Sequence, residues 1–140
     1  MNEDQMQAYI VKWFSNTYPE FRGLLFEVNN DTANVKHAMK RRAMGMISGV
    51  SDLLFISPQG RVVGIELKAP ETRHKTTHII SQLAWGELVG EVGGLYIISA
   101  SIDEVIMFIN EIINFNFDLA NKIGQTSVDR IDLSKSTVKF

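Results

Sequence analysis

Asp52, Glu66 and Lys68 are of the right types, and in the right pattern, to act on one substrate atom. The run Gly49-Val50-Ser51-Asp52-Leu53-Leu54-Phe55-Ile56 is apolar and strand-like. Ser57-Pro58-Gln59-Gly60-Arg61 is turn chemistry, and Val62-Val63-Gly64-Ile65-Glu66-Leu67-Lys68 is a second strand-like run. A hairpin symmetric about Gln59 sets Asp52 directly opposite Glu66. Opposed cross-strand residues have Cβ atoms roughly 4.5–5.5 Å apart, and like charges there destabilise a sheet. A bound cation removes that penalty. Because side chains alternate along a strand, Glu66 and Lys68 share one face while Leu67 turns to the other, toward the core.

Hard divalent cations such as Mg²⁺ take oxygen ligands, keep several waters, and are typically held by one or two carboxylates plus substrate phosphates. Lysine beside such an ion holds or deprotonates a water, or neutralises charge building on a phosphate. The set therefore points to phosphodiester hydrolysis. An acidic residue opening a strand and a Glu-x-Lys pair on a solvated face are also ordinary surface features, so the flanking segments carry the decision.

Gly49-Val50-Ser51-Asp52-Leu53, then Glu66-Leu67-Lys68, then Gln82 on a following helix, resemble in order and spacing the VRR-NUC branch of the PD-(D/E)XK nuclease superfamily. Val28-Asn29-Asn30 before a basic stretch, and Ala43-Met44-Gly45-Met46 leading into the Gly-x-x-Asp turn, extend the resemblance to about residues 3–109. Residue by residue, the resemblance implies Asp52 and Glu66 as metal ligands, the Leu67 carbonyl as a third oxygen, and Lys68 as the catalytic lysine. It implies Gln82 as the group orienting the attacking water or a ligand, and Glu3 as the family's N-terminal acidic residue. Ser51 stands where the family usually has proline; serine leaves φ free, so the approach to Asp52 is expected to be less rigid.

Glu3 and Gln82 each carry a second reading. A glutamate in the first turn of a helix is favourable through the helix dipole alone, although Glu3, seven residues before Ile10, is placed by periodicity along the buried face of Met6, Ile10, Trp13 and Phe14. By position alone, Gln82 is a solvated flank of Leu83.

The positioning elements follow from pattern. A helix over about 3–17 ends before Pro19, and Leu24–Val28 reads as a first strand. Asn29–Ser48 is a polar, basic, partly helical excursion with a helix from Val35 to Met44. The hairpin of strands 52–56 and 62–68 follows, then the charged loop Ala69–Lys75. Thr76-Thr77 are placed to cap a helix from about His78 to Val89, with Ile79, Leu83 and Leu88 inward and Glu87 outward. Gly93-Gly94 breaks it before the buried strand Leu95–Ile98, and a strand–helix–strand connection of this length favours parallel pairing. Ser101-Ile102-Asp103-Glu104 is a capping-box signature for a last apolar helix. The implied fold class is α/β: a three-layer, restriction-endonuclease-like core with a mixed β-sheet flanked by helices in the order αβββαβ. Residues 1–114 form the nuclease domain, and 115–140 a C-terminal extension that either joins the core or makes a dimer contact, with a terminal strand around Val128, Ile131 and Leu133.

At 140 residues with 45% hydrophobic content, the chain makes one domain with a real core. It has no cysteine, hence no disulfide framework or thiolate metal site. No apolar run reaches the roughly 18 residues of a membrane span, and Met1-Asn2-Glu3-Asp4 does not read as a signal peptide, so a cytoplasmic location is expected, in the host cell if phage-encoded. The net charge of −2 conceals an uneven distribution. Residues 34–78 hold eight Lys/Arg against three acids, a charge of +5, while the rest holds six against thirteen. Lys36, Lys40, Arg41, Arg42, Arg73 and Lys75 are the candidate DNA-binding residues; a solvated basic helix is the plainer reading of such a run. His74 and His78 have i, i+4 spacing but no third ligand nearby, which is weak support for zinc. Trp13 and Trp85 lie in apolar stripes and read as core.

Together these features give the expectation of a Mg²⁺- (or Mn²⁺-) dependent endodeoxyribonuclease. The resemblance to stand-alone, phage-type VRR-NUC proteins adds a homodimer acting on branched DNA such as four-way junctions, with no membrane partner. A flap- or restriction-type nuclease of the same superfamily, or a non-catalytic DNA-binding or assembly subunit, are the alternatives.

Overall fold

The computed structural model describes residues 1–28, 34–70 and 78–131. Chain entry is fixed by helix α1, Glu3–Thr17. Asn2 caps it, its side chain accepting from the Gln5 amide while the Gln5 side chain returns the bond, a full capping box. Met6, Ile10 and Phe14 form its buried stripe. Pro19 begins a single 3₁₀ turn, Pro19–Phe21, and strand β1, Leu25–Glu27, follows. Helix α2, Val35–Ala43, buries none of its residues. Strands β2 (Leu53–Ile56) and β3 (Val62–Leu67) make the hairpin. Helix α3 (Ile79–Glu91), strand β4 (Leu95–Ser99), and helices α4 (Ile102–Ile113) and α5 (Phe117–Asp129) complete the order.

The sheet runs β1-β2-β3-β4, antiparallel across the first two pairings and parallel across β3–β4, where α3 is the crossover. Leu53, Phe55, Val63, Ile65, Leu67, Leu95 and Ile97 face α1 and α4 in the larger core. Tyr96 and Ile98 face Ile79 of α3 in the smaller core, with Trp85 packed against it. These are the three layers expected from the sequence: a mixed sheet between helices, α/β.

Helix α5 lies against β4 and α4, with Ala120 fully buried in the main core. Gly124 makes this possible, since a Cβ there would sit 2.2 Å from the Tyr96 carbonyl oxygen. The Ser127 hydroxyl accepts from the Ile98 amide at 3.1 Å, satisfying a donor on the outer strand of the sheet. Val128 is therefore helical, not part of a terminal strand; Leu133 lies outside the described residues. Phe115 is 70% exposed, and Phe117 lies under the Arg61 guanidinium, 3.9 Å from its ring centre.

Three smaller expectations change. Leu88 is 60% exposed, because Gly86 and Val89 take the inward positions of α3. The α3 N-cap is His78, without a side-chain cap, and Thr76 and Thr77 fall outside the described residues. Ser101 caps α4 through the Glu104 amide, but the reciprocal arm of the box is absent: the Glu104 carboxylate bonds Ser99 and Arg130 instead.

Gly124→Ala drives a methyl into main-chain atoms that cannot rotate away, so it is expected to lower unfolding free energy by roughly 1–3 kcal/mol. Gly90→Ala, with nothing within 4 Å of the added Cβ, is expected to be neutral or to stabilise by up to about 1 kcal/mol through helix propensity. Urea denaturation midpoints of the two variants test this contrast.

Candidate active site

The hairpin turn sets the geometry. Ser57 N–H donates to the Arg61 carbonyl, Gly60 N–H to the Ser57 carbonyl, and Arg61 N–H to the Ser57 hydroxyl, with Gly60 at φ +83°. The resulting pairs, Leu53 with Ile65 through Ile56 with Val62, are symmetric about Gln59. Asp52 is one residue beyond the last pair, on the Glu66 side, and its Oδ2 accepts from the Leu67 amide at 2.9 Å. The expected opposition of the two carboxylates is thus present.

Asp52 is half-buried, and its two charged neighbours are almost fully covered. Glu66 is 2% and Lys68 4% exposed. Glu66 Oε1 accepts from Gln82 Nε2 at 2.9 Å and lies 3.5 Å from Lys68 Nζ. Gln82 is therefore turned onto the strand and is not a solvated flank. Gln82 Oε1 and the Tyr96 hydroxyl are buried without a hydrogen-bond partner, and Glu66 Oε2 meets no N–H or O–H donor, although the Glu66 and Asp52 carboxyls are close enough to share a proton. Buried polar atoms are rarely left so, and each orphan costs of order 1–3 kcal/mol.

Burial, and then the Asp52 charge, push the Glu66 carboxyl up to about 8. Burial also raises Asp52, opposed by the Leu67 amide. The Tyr96 hydroxyl is raised by burial and then by both carboxylates. Without a cation, the pair holds together by keeping a proton on Glu66. A divalent ion would take that proton's place, and the donors fit one: hard oxygens, one of them without an N–H or O–H donor, with no cysteine in the chain. Among the described residues no group of three or more His, Cys, Asp or Glu assembles. The available ligands are two carboxylates and main-chain oxygen, of which the Leu67 carbonyl ends β3.

Glu3 is exposed rather than on the buried face, at the first turn of α1. It nevertheless faces this site: partial burial raises its carboxyl, Lys68 and the Ala69 amide oppose the rise, and Asp52 adds to it. Ser51 is fully buried and its hydroxyl donates to the Leu53 carbonyl at 2.7 Å, a side-chain bond that ties down the approach to Asp52. Gly49, at φ +92°, has the Ser81 carbonyl oxygen 2.6 Å from where a Cβ would be, so the turn into Asp52 packs directly on α3.

Lys36, Lys40, Arg41 and Arg42 are all exposed on α2, three of them in its last turn, where cations suit the helix dipole. Arg73, Lys75 and His74 lie outside the described residues. Trp13 packs edge-on against Tyr18, and Trp85 against Tyr96, as core aromatics. Sequence reasoning missed Tyr96 and Gly64. Gly64 admits the Trp85 ring, whose Cζ3 would be 2.6 Å from a Cβ, and only the parallel register, Gly64 beside Tyr96, reveals their link to Glu66.

A solved structure described as a "VRR_NUC domain protein" superposes with a TM-score of 0.64 and 21% identity, covering 81% of this chain and 89% of its own. The fold is of the VRR-NUC type. No protein-family model and no curated protein matches the chain. At this identity the likeness speaks for the fold, and the VRR-NUC fold supplies the frame in which Asp52, Glu66, Lys68 and Gln82 meet. Among the described residues no helix is long and apolar enough to cross a membrane.

Because Glu66 binds its proton more tightly folded than unfolded, the native state holds more protons between about pH 4.5 and 8. Metal-free stability is therefore expected to fall as pH rises through that window, with a slope approaching ~1.4 kcal/mol per pH unit for one group. Glu66→Gln is expected to flatten the profile, and Mg²⁺ or Mn²⁺ to raise the wild-type Tm most at pH 8. Thermal melts in EDTA across pH 5–8 check the sign; a wild-type Tm that climbs with pH contradicts it.

Proposed function

We propose that the protein is a Mg²⁺- (or Mn²⁺-) dependent DNA endonuclease. The observation that carries this reading is the buried Glu66 carboxylate, one oxygen held by Gln82 and Lys68 and the other without an N–H or O–H donor, beside Asp52. Asp52, Glu66 and the Leu67 carbonyl would hold the ion, with Glu3 at the rim. When bound, the ion supplies Lewis acidity at the phosphate and a water of lowered pKa. Lys68, kept against Glu66 and almost fully buried, would position the attacking water and offset charge developing on the phosphoryl oxygens. Gln82 holds Glu66 in register for that task. The basic face of α2, with Arg73 and Lys75, binds the DNA backbone.

The substrate we favour is branched DNA such as a four-way junction, cut by a homodimer in the cytoplasm. The sequence resemblance to stand-alone VRR-NUC proteins suggests this reading, and a two-fold dimer would supply the two active sites that two symmetric cuts require. The same residues would serve a flap- or restriction-type substrate, and a non-catalytic DNA-binding or assembly subunit would keep the fold without the reaction.

A labelled panel of duplex, single-stranded, flap and four-way-junction DNA, incubated with Mg²⁺, Mn²⁺ or EDTA, separates these readings. Metal-dependent cutting that Lys68→Ala reduces by about 10²- to 10⁴-fold is expected. Asp52→Asn is expected to bind DNA and not cut it. Binding without cutting by wild type under every condition would leave the assembly-subunit reading.

Replacing Lys40, Arg41 and Arg42 together by Gln is expected to weaken binding to all duplexes alike. The slope of log K against log salt should become shallower by about 2.7, near 0.9 per lost phosphate contact. Fluorescence anisotropy at several salt concentrations measures it.

A further inference from the structure

Beside Lys68, a cavity of about 110 Å³ opens toward α5, lined among others by Ser99, Ser101, Ser127, Arg130 and Ile131. At about 30 Å³ per water, it holds a few water-sized groups, the scale of a tetrahedral oxyanion. Lys68 is nine-tenths buried on one side of it, while the Arg130 side chain on the other is 49% exposed, so the cavity has both a closed cationic wall and one that solvent reaches.

Arg130 is held in place. Its two terminal nitrogens bond the Glu104 carboxylate at 3.0 and 2.9 Å, and the Ser99 hydroxyl donates to the same carboxylate at 2.7 Å. A guanidinium has five N–H donors, and this fork uses two of them. The serine hydroxyls donate elsewhere: Ser99 to Glu104 and Ser127 to the Gly124 carbonyl. Two cations therefore line the cavity, each paired with a carboxylate outside its lining: Lys68 with Glu66, and Arg130 with Glu104, which fixes the guanidinium's plane. Arg130 ends α5, in the part of the chain beyond the segment that carries the sequence resemblance, and it is connected to β3 through Ser99, whose carbonyl accepts from the Lys68 amide at 2.9 Å.

We propose that the Lys68–Arg130 cavity is an anion subsite for a backbone phosphate next to the one that is cleaved, with Arg130 as its specificity-determining contact. This rests on the reading of the protein as a nuclease, since it assumes a phosphodiester chain passing Lys68. Arg130 meets that chain from the end of α5 while Gln82 of α3 holds Glu66, so the subsite and the proposed cleavage site share Lys68.

The test is binding and cutting of a fluorescent DNA duplex carrying one neutral methylphosphonate, moved stepwise along one strand. Binding is measured in EDTA and in Ca²⁺ at several salt concentrations, and cutting in Mg²⁺, for wild type, Arg130→Gln and Arg130→Lys. Arg130→Gln is expected to make the salt slope shallower by about 0.9 and to silence one methylphosphonate position while the others keep their effect. Arg130→Lys, which keeps the charge and loses the fork, is expected to keep the slope. Unchanged slope and unchanged methylphosphonate profile in Arg130→Gln overturn the subsite. Equal loss in both variants with a lowered Tm also overturns it, showing that Arg130 acts only by bracing Glu104. If wild type cuts nothing while the slope and position effects remain, the nuclease reading fails and Arg130 is a phosphate contact of a DNA-binding protein, which overturns the subsite as neighbour to a cleaved phosphate. A wild type that binds no DNA overturns both.

Discussion

Two carboxyl groups, Glu66 buried and Asp52 half-buried, lie side by side at the open end of the β2–β3 hairpin, and most of the surrounding structure answers to that fact. Removing a carboxylate from water costs several kcal/mol even after relaxation, so Asp52 and Glu66 stay folded only with specific compensation. Leu67 gives a main-chain N–H to Asp52, while Gln82 and Lys68 converge on one oxygen of Glu66. The other oxygen is left for a proton or a cation. The same burial that makes the pair costly strengthens every electrostatic contact within it, because the local dielectric is low.

That compensation requires close approach of three elements, and small residues permit it. Gly49 lets the segment before Asp52 rest on the Ser81 main chain, which sets the start of α3, and Gly64 lets Trp85 close over the strand. With α3 so placed, Gln82 reaches Glu66 from a residue sixteen positions away. On the far edge, α5 covers β4 through Gly124 and Ser127, and its end brings Arg130 to the wall of the Lys68 cavity. The helices are thus supports for a site that the hairpin nucleates. Helix α2 stands apart, burying nothing, its four cations free of any packing role.

Much of this was legible beforehand for a simple reason: hairpin register depends on turn length and on alternation, both local properties. The symmetry about Gln59 and the common face of Glu66 and Lys68 follow from counting. Helix α1 and its stripe of Met6, Ile10 and Phe14 follow from a 3.6-residue period. The errors sit where local pattern and tertiary packing compete. Leu88 fits the apolar pattern of α3 and is exposed, because a glycine, Gly86, takes the place against Tyr96. Glu104 fits a capping box and instead pairs with Arg130, twenty-six residues on, since a charged fork outweighs a neutral cap bond.

The sequence by itself determined the alternation of elements, the opposition of Asp52 and Glu66 and the clustering of positive charge around residues 34–78, because each depends on neighbours a few positions apart. Only the tertiary structure decided that Glu66 and Lys68 are buried, that Gln82 turns inward, that the Ser51 hydroxyl is tied to the Leu53 carbonyl, and that α5 joins the core. Burial and the choice of hydrogen-bond partner depend on which distant segments arrive at a surface. The register of β3 on β4 and the close contact of α5 with Tyr96 set those arrivals, and no local period encodes them.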